Sequence, residues 1–230
     1  MKREEIGVPP LVEKFLEEVT RKVNPKFRIR NKAYPTGAYW IASKVVGLFN
    51  KRVDTNYITV INGQCWFPAD FFDESGNMTE LTAEPWRVIQ TLSHETMHEY
   101  DRKRLGTVPF TLLYLFPQVL GALGFLSLLA FWNLSWLWCL LFFLFLAPLP
   151  APGRAYLELR GYKVNMMYHL SLGWPPEPTA DHYATKHFVG PAYYFMMPFK
   201  GWVTKRLLDR SHEDEQIYQT IREWWQRHQD

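Results

Sequence analysis

Apolar side chains recur at helical spacing along much of the chain, which predicts a mainly helical protein. Residues 9–23 place their apolar side chains on one face and begin with two prolines, so they predict an amphipathic helix. Residues 38–49 predict a second helix that packs in the core, and residues 211–228 predict a last helix with Ser211 as its N-terminal cap. Residues 173–191 are rich in proline, glycine and histidine and predict a loop.

A short region between these helices carries strand signals instead. Residues 27–30 predict an extended piece, and the β-branched residues 57–61 predict a strand. Asn62-Gly63 is a strong hairpin-turn signal, and residues 64–67 can return as the partner strand. A polar loop follows at 73–82. We therefore expect a small β-hairpin within an otherwise helical fold.

The longest apolar stretch runs from Leu105 to Gly153, 49 positions without a charged residue. At the helical rise of about 1.5 Å per residue this is roughly 70 Å, enough for two crossings of a hydrocarbon core about 30 Å thick. The polar break at residues 132–136 predicts a transmembrane hairpin of two helices, about 109–131 and 134–149, with tryptophans at its tip. Pro117, Gly121 and Gly124 permit a kink or close helix packing. The alternative is a buried helical pair in a soluble protein.

The charges on either side of this stretch predict its orientation. Arg102, Lys103 and Arg104 precede it, and Arg154, Arg160 and Lys163 follow it, whereas the tip is uncharged. The positive-inside rule therefore places both termini on the cytoplasmic side. The broken aromatic segment at 188–203 is expected either to lie along the membrane surface or to cover a cleft.

The amino-acid composition indicates which kind of partner the protein contacts and which cellular compartment suits it. An aromatic fraction of 17% with 10 tryptophans favours contact with a membrane interface, and a net charge of +3 is too small to argue for nucleic acid. The two cysteines form no C-x-x-C pair, which is compatible with a reducing compartment. The N-terminus lacks the apolar core of a signal peptide, so none is expected.

The sequence His94-Glu95-Thr96-Met97-His98 matches H-E-x-x-H within a predicted helix at about 83–105. We expect Thr82 to cap this helix at its start and Gly106 at its end. On a helix, positions i and i+4 share one face, so both imidazoles can bind one Zn²⁺ ion while Glu95 accepts a proton from the water that zinc activates. A shuffled chain of this composition would contain the motif with a probability of about one in a hundred.

A catalytic zinc usually takes three protein ligands, and the metzincin continuation of the motif is absent. Glu158 is the only acidic residue between Asp101 and Glu177, and a membrane hairpin returns the chain to the side it left. Glu158 is therefore the predicted third ligand. The rival ligands are His169, Asp181, His182 and His187. Glu99 or Asp101 could orient a histidine ligand, and candidates for stabilising the oxyanion are His182, His187, Tyr193 and Tyr194.

This order of elements, from hairpin strands to the H-E-x-x-H helix, two transmembrane segments and a glutamate on the next helix, resembles the gluzincin zinc metallopeptidases of the HtpX and CAAX-prenyl-protease type. The resemblance covers roughly residues 55–165. The family pattern E-x-x-A-D is matched at Glu158 and by the small Gly161, while Tyr162 stands where the family has aspartate. The chain also lacks the membrane spans that usually precede the motif helix in the family.

The predicted fold class is thus α+β and mainly helical, with a zincin-like catalytic domain that a two-helix transmembrane hairpin interrupts. The first part of that domain is expected at 1–107, the hairpin at 108–149 and the second part at 150–230. The predicted function is a membrane-anchored zinc endopeptidase that hydrolyses peptide bonds of membrane or membrane-proximal proteins on the cytoplasmic side. The alternatives are a zinc amidohydrolase acting on a small or lipid-linked amide, and a non-catalytic zinc-binding scaffold of the membrane.

Overall fold

The computed structural model of this protein describes residues 6–37, 39–40, 43–44, 58–61, 63–147, 149–190, 195–211 and 215–228. Their fold is mainly helical with one small sheet, which confirms the coarse α+β prediction. The chain divides into two units, Met1–Glu99 and Tyr100–Asp230. The helix that carries the H-E-x-x-H motif begins in the first unit and its last turn belongs to the second.

The first unit begins with the amphipathic helix that the sequence predicts at 9–23. It consists of α1 (Pro10–Phe15), a π-helical turn (Leu16–Thr20) and α2 (Arg21–Val23), which follow one another without a break. Proline is tolerated in the first turn because the N–H it lacks would have no partner there. The apolar face of this helical run is buried.

Three short strands form the sheet of the first unit: β1 (Arg28–Asn31), β2 (Thr59–Ile61) and β3 (Gln64–Phe67). β2 and β3 form the predicted antiparallel hairpin, and Gly63 adopts φ +71° at its turn. The sequence did not predict that β1 pairs with β3 in parallel, which gives the order β1-β3-β2. Tyr57, Asn62 and most of the predicted helix at 38–49 lie outside the described residues.

Helix α3 (Pro85–Leu105) is the long helix predicted for the motif. It begins at Pro85, so the predicted cap at Thr82 is wrong. The Thr82 hydroxyl instead donates to the Phe71 carbonyl at 3.0 Å and accepts from the Thr79 N–H at 3.0 Å, which stabilises the preceding turn. The other end is as predicted, because Gly106 adopts φ +89° and its N–H donates to Arg102 O at 2.9 Å.

The uncharged stretch of the second unit begins with α4 (Thr107–Leu115) and continues as two 3₁₀ helices, Gln118–Phe131 and Leu134–Leu146. The single helix predicted over 109–131 is therefore broken, and its two parts are bent by 89°. Pro117 explains the break, because proline disfavours a helical conformation in the preceding residue and Phe116 is extended with ψ 136°.

The two 3₁₀ helices pack against each other through the predicted glycines. Gly121 faces Leu146, and a Cβ at Gly124 would lie 2.7 Å from the ring of Phe143. In the part of the chain that the structure describes, no single helix is both long and apolar enough to cross a membrane, although Thr107–Leu115 and Gln118–Phe131 together reach that length and composition.

The second unit continues with α5 (Pro152–Ser171), α6 (Pro176–Tyr183), a π-helical turn (Ala184–Val189), α7 (Lys200–Leu208) and α8 (Gln216–His228). The predicted loop at 173–191 is largely helical, because its prolines fall in the first turn of α6 and Ala180, Tyr183 and Ala184 supply a buried face. Helix α8 begins at Gln216, so Ser211 is not its cap; the Ser211 N–H donates to Asp209 Oδ1 at 3.0 Å.

Candidate metal centre

The two histidines of the motif lie in the middle of α3, at positions that a regular helix keeps on one face. His94 is buried and His98 is half-buried, and their Nε2 atoms are 3.0 Å apart. Two nitrogens bound to one ion at about 2.0–2.1 Å in tetrahedral geometry lie roughly 3.3–3.4 Å apart. The two imidazoles therefore already have close to the separation that joint ligation of one ion requires.

Glu158 supplies the third donor from the second turn of α5, where it is only 3% exposed. One ligand atom each from His94, His98 and Glu158 lies within 4.8 Å of the other two. A buried carboxylate is costly unless it is paired or coordinates a metal. Two imidazoles and a carboxylate are a donor set that binds divalent transition metals, so these three residues fit a metal ion. These three residues are the ones that the sequence predicts as ligands.

Glu95, the predicted proton acceptor, is half-buried on α3 beside these histidines. Cys65 lies on β3. Burial raises the pKa of its thiol, and the nearby carboxylate of Glu95 raises it further. Cys65 and Glu95 both belong to the first unit.

Buried polar contacts in the first unit hold the motif helix to the N-terminal helical run. The Thr20 and Thr96 hydroxyl oxygens are 2.9 Å apart, and the Asn24 amide donates to Glu99 Oε2 at 2.7 Å. Thr96 lies inside the motif and Glu99 directly follows His98. Buried hydrogen bonds to charged groups are worth about 1.5–3 kcal/mol, so these contacts fix the rotation of α3 about its axis.

Tyr114 on α4 binds the side chain of Glu158, the predicted third ligand. Its hydroxyl donates to Glu158 Oε1 at 2.5 Å, and Arg154 Nε donates to the Tyr114 carbonyl at 3.0 Å while the guanidinium lies over the Tyr114 ring at 5.2 Å. The sequence reasoning missed this residue. A signal was present, because Tyr114 is the only tyrosine in the 49-residue uncharged stretch.

Arg160, two residues after Glu158, forms a buried double ion pair. Its Nε donates to Asp101 Oδ1 and Oδ2 at 3.0 and 2.8 Å, while Nη1 and Nη2 donate to Glu215 Oε1 and Oε2 at 2.8 and 2.7 Å. Burial alone would lower the pKa of Arg160, but the hydrogen bonds to Glu215 and Asp101 raise it above its ordinary value. Arg160 thus stays charged and joins the last turn of α3 to α5 and to the start of α8. We call Asp101, Arg160 and Glu215 the arginine clamp.

The other residues that the sequence offered as a third ligand make different contacts in the structure. His169 packs on Trp174 with ring centroids 4.3 Å apart, His187 stacks on Tyr162 at 4.4 Å, and Asp181 pairs with Lys200 at 2.8 Å. His182 lies exposed beside Tyr183. Among the described residues, the one group of three or more His, Cys, Asp or Glu side chains placed to hold a metal is that of the two motif histidines and Glu158.

Two further candidates for the oxyanion, Tyr193 and Tyr194, lie outside the described residues. Glu99 and Asp101 were the two candidates for orienting a histidine ligand; the structure pairs Glu99 with Asn24 and Asp101 with Arg160. Tyr162, at the aspartate position of the gluzincin pattern, is buried and stacks on His187. Comparison of the chain with protein-family models, with curated proteins and with solved structures finds no match.

Proposed function

We propose that this protein is a membrane-anchored zinc endopeptidase. The observation that carries the proposal is the buried group of His94, His98 and Glu158, with Glu95 next to His94 on the same helix. A purely structural metal site needs no carboxylate beside its ligands, whereas metal-assisted hydrolysis needs a proton acceptor there.

The donor set supports zinc as the metal. Two imidazoles and one carboxylate are the protein ligands of well-known catalytic zinc sites, and three ligands leave a fourth position for water or substrate. Oxygen-only donor sets, which calcium and magnesium prefer, are not what this group offers. When bound, zinc would supply the Lewis acidity that polarises a scissile carbonyl and brings the pKa of water to about 7.

The protein's own residues would then move the proton. Glu95 takes the proton of the attacking water and passes it to the nitrogen of the leaving amine as the C–N bond breaks. Tyr114, through its hydrogen bond to Glu158, and Arg160, through the arginine clamp, hold the third ligand in place. Neither Tyr114 nor Arg160 needs to change its charge during the reaction.

The membrane part of the proposal rests on the uncharged stretch at 105–153. Many of its large apolar side chains are exposed, among them Phe131, Trp132, Leu134 and Trp138. Exposed apolar patches this extensive mark membrane or protein contacts. Because Tyr114 belongs to this stretch and bonds to Glu158, the third ligand lies close to it, which suits membrane or membrane-proximal protein substrates on the cytoplasmic side. A substrate strand could pair with an edge of the small sheet.

The test is metal content and cleavage measured on the same detergent-purified preparations. We expect about one zinc per chain in the wild type and in Glu95→Gln, loss of zinc in His98→Ala and Glu158→Ala, and cleavage of an unfolded labelled polypeptide by the wild type alone. Glu223→Gln, at an exposed position of α8, is the matched control and should keep both zinc and cleavage.

The possible failures have different meanings. A wild type that binds no zinc even after reconstitution would refute the metal site. Zinc retained by Glu158→Ala would move the third ligand elsewhere. Zinc without cleavage of any polypeptide, but with hydrolysis of a small or lipid-linked amide, would favour an amidohydrolase, and zinc with no hydrolysis at all would favour a scaffold.

A further inference from the structure

Helix α7 and the residues just before it expose aromatic and basic side chains together. Phe199 is 68% exposed and Trp202 40%, and Phe195 is exposed as well. Lys205 and Arg206 are exposed on the same short helix. We call Phe195, Phe199, Trp202, Lys205 and Arg206 the α7 patch. Exposed aromatic rings are costly in water, and several of them close together in the chain are typical of an interaction surface.

The patch sits on a fixed support. Val203 and Leu207, four residues apart on α7, are buried in the core of the second unit. The loop before α7 is tied down by a backbone hydrogen bond of 2.8 Å, in which the N–H of Ala151 donates to the carbonyl of Met196. Ala151 belongs to the end of the uncharged stretch. The patch is therefore attached where the chain leaves its most apolar segment.

The charge around the patch is positive. Residues 195–211 contain four basic side chains and one acidic one, Asp209. Lys200 is paired with Asp181 at 2.8 Å, and Arg206 lies 3.7 Å from Asp209 and over the ring of Trp202 at 5.6 Å. With Asp181 included, the basic side chains still outnumber the acidic ones by four to two. Aromatic rings among basic side chains are the chemistry of a helix that lies in the headgroup region of an anionic membrane.

We propose that the α7 patch binds the anionic phospholipid surface of the bilayer in which the apolar stretch is anchored. This inference rests on the membrane-anchoring part of the proposed function and is independent of peptidase activity. The aromatic rings enter the headgroup layer, and each basic side chain near an anionic surface favours contact by roughly fivefold. Because Met196 is tied to Ala151, contact of the patch with lipid fixes the height of α5, and so of Glu158, above the membrane.

The experiment places a fluorescent reporter beside the patch in the full chain. Gly201 is exposed, and a Cβ there meets nothing within 4 Å, so Gly201→Cys offers a labelling site that leaves the patch intact. Cys139 is replaced by alanine, while Cys65 can remain because it is buried. Gln219→Cys, on the exposed polar face of α8, is the matched control. Each protein is labelled with NBD and reconstituted into vesicles that contain a nitroxide lipid quencher.

The vesicles are phosphatidylcholine alone, or phosphatidylcholine with phosphatidylserine at about three to one. We expect strong quenching of the label at 201 in the phosphatidylserine vesicles, little in phosphatidylcholine alone, and none at 219 in either. Lys205→Gln with Arg206→Gln should shift the contact equilibrium about 25-fold towards the unbound state, and high salt should act in the same direction.

Two results would overturn the proposal. Quenching at 201 that is equal in both vesicle types would mean that the anionic headgroup is not recognised. A label at 201 that stays in water in both would exclude lipid contact and leave the patch to a protein partner. NBD on the native Cys139, with a quencher deep in the acyl chains, tests membrane anchoring separately, and the zinc content of the same preparations tests the metal site.

Discussion

Loss of the arginine clamp should destabilise the protein strongly, and the structure gives the magnitude. Asp101 and Arg160 are each 1% exposed, and Arg160 makes four hydrogen bonds of 2.7–3.0 Å to two carboxylates. The substitution Arg160→Met fills a similar volume but leaves the Asp101 charge buried without its partner. Breaking a buried ion pair on one side costs about 3–5 kcal/mol, which is a large part of a typical unfolding free energy of about 5–15 kcal/mol.

The same reasoning predicts an ordered series of variants. Glu215 is 23% exposed, so water can solvate it when its partner is lost, and Glu215→Gln should cost only about 1 kcal/mol. The double variant Arg160→Met with Asp101→Leu removes both buried charges and should recover to within about 1–2 kcal/mol of the wild type, since buried ion pairs replaced by apolar groups are often neutral.

The assay is urea unfolding of the detergent-solubilised, metal-free protein, followed by tryptophan fluorescence. Trp224 and Trp225 are buried on α8, the helix that begins next to Glu215, so their emission reports the packing that the clamp maintains. Metal must be removed, because zinc that binds only the folded state would add its own binding free energy to the result. Zinc affinity, measured separately by competition with a chelator, should fall about tenfold in Arg160→Met, because Glu158 is two residues away.

If Arg160→Met lowers the unfolding free energy by less than about 1 kcal/mol, the ion pair between Arg160 and Asp101 is not the buried interaction described above. Failure of Asp101→Leu to restore stability in the Arg160→Met background would show that the loss comes from packing and not from the unpaired charge. Unchanged zinc affinity in a destabilised Arg160→Met would separate the clamp from the metal site.

Three other predictions follow from single residues. Tyr114→Phe removes the hydrogen bond to Glu158 and should lower zinc affinity at least tenfold in the chelator competition; because the buried carboxylate loses this donor, the metal-free protein should also lose about 1–3 kcal/mol of unfolding free energy, and an unchanged zinc affinity would contradict this role. Cys65 should resist alkylation at pH 8 until the protein is unfolded, as mass spectrometry would show, because burial raises the pKa of its thiol. Burial, and then the charge of His182, lower the pKa of His169 below 6.5, so the folded state binds fewer protons than the unfolded one. Stability should therefore be complete above pH 6.5 and fall as the pH drops towards the folded pKa, and His169→Gln should reduce that fall.

The elements that the sequence predicts well are those whose cause is local. The β2–β3 hairpin follows from two β-branched or apolar runs about a turn, and the end of α3 follows from Gly106, which takes a positive φ that other residues avoid. The start of α3 was misplaced because the Thr82 hydroxyl satisfies groups of the preceding turn instead of the helix. Local signals also misled at α6, where prolines that suggested a loop are tolerated in the first turn of a helix.

Contacts between distant segments were beyond sequence reasoning. The parallel pairing of β1 with β3 joins residues more than thirty positions apart, and no pattern in either strand specifies its partner. The arginine clamp joins Arg160 to Asp101 and Glu215, and nothing in the sequence indicates that these three side chains meet. Charged residues are almost never fully buried unless paired, so the default expectation for each one alone was exposure.

Glu158 could be predicted because its position was constrained in two ways. It is the only acidic residue between Asp101 and Glu177, and a chain that leaves and re-enters on one side brings the two helices flanking the apolar stretch together. The structure places it within 4.8 Å of both motif histidines even though that stretch is bent at Pro117. The residues that contact Glu158 could not be inferred from the sequence in the same way. The gluzincin pattern directed attention to Tyr162, which stacks on His187, whereas the Glu158 carboxylate accepts a hydrogen bond from the Tyr114 hydroxyl, and the Arg160 guanidinium binds Asp101 and Glu215. Residue type and order were thus enough to single out a candidate ligand set, while the residues that contact these candidates depend on packing that the order does not contain.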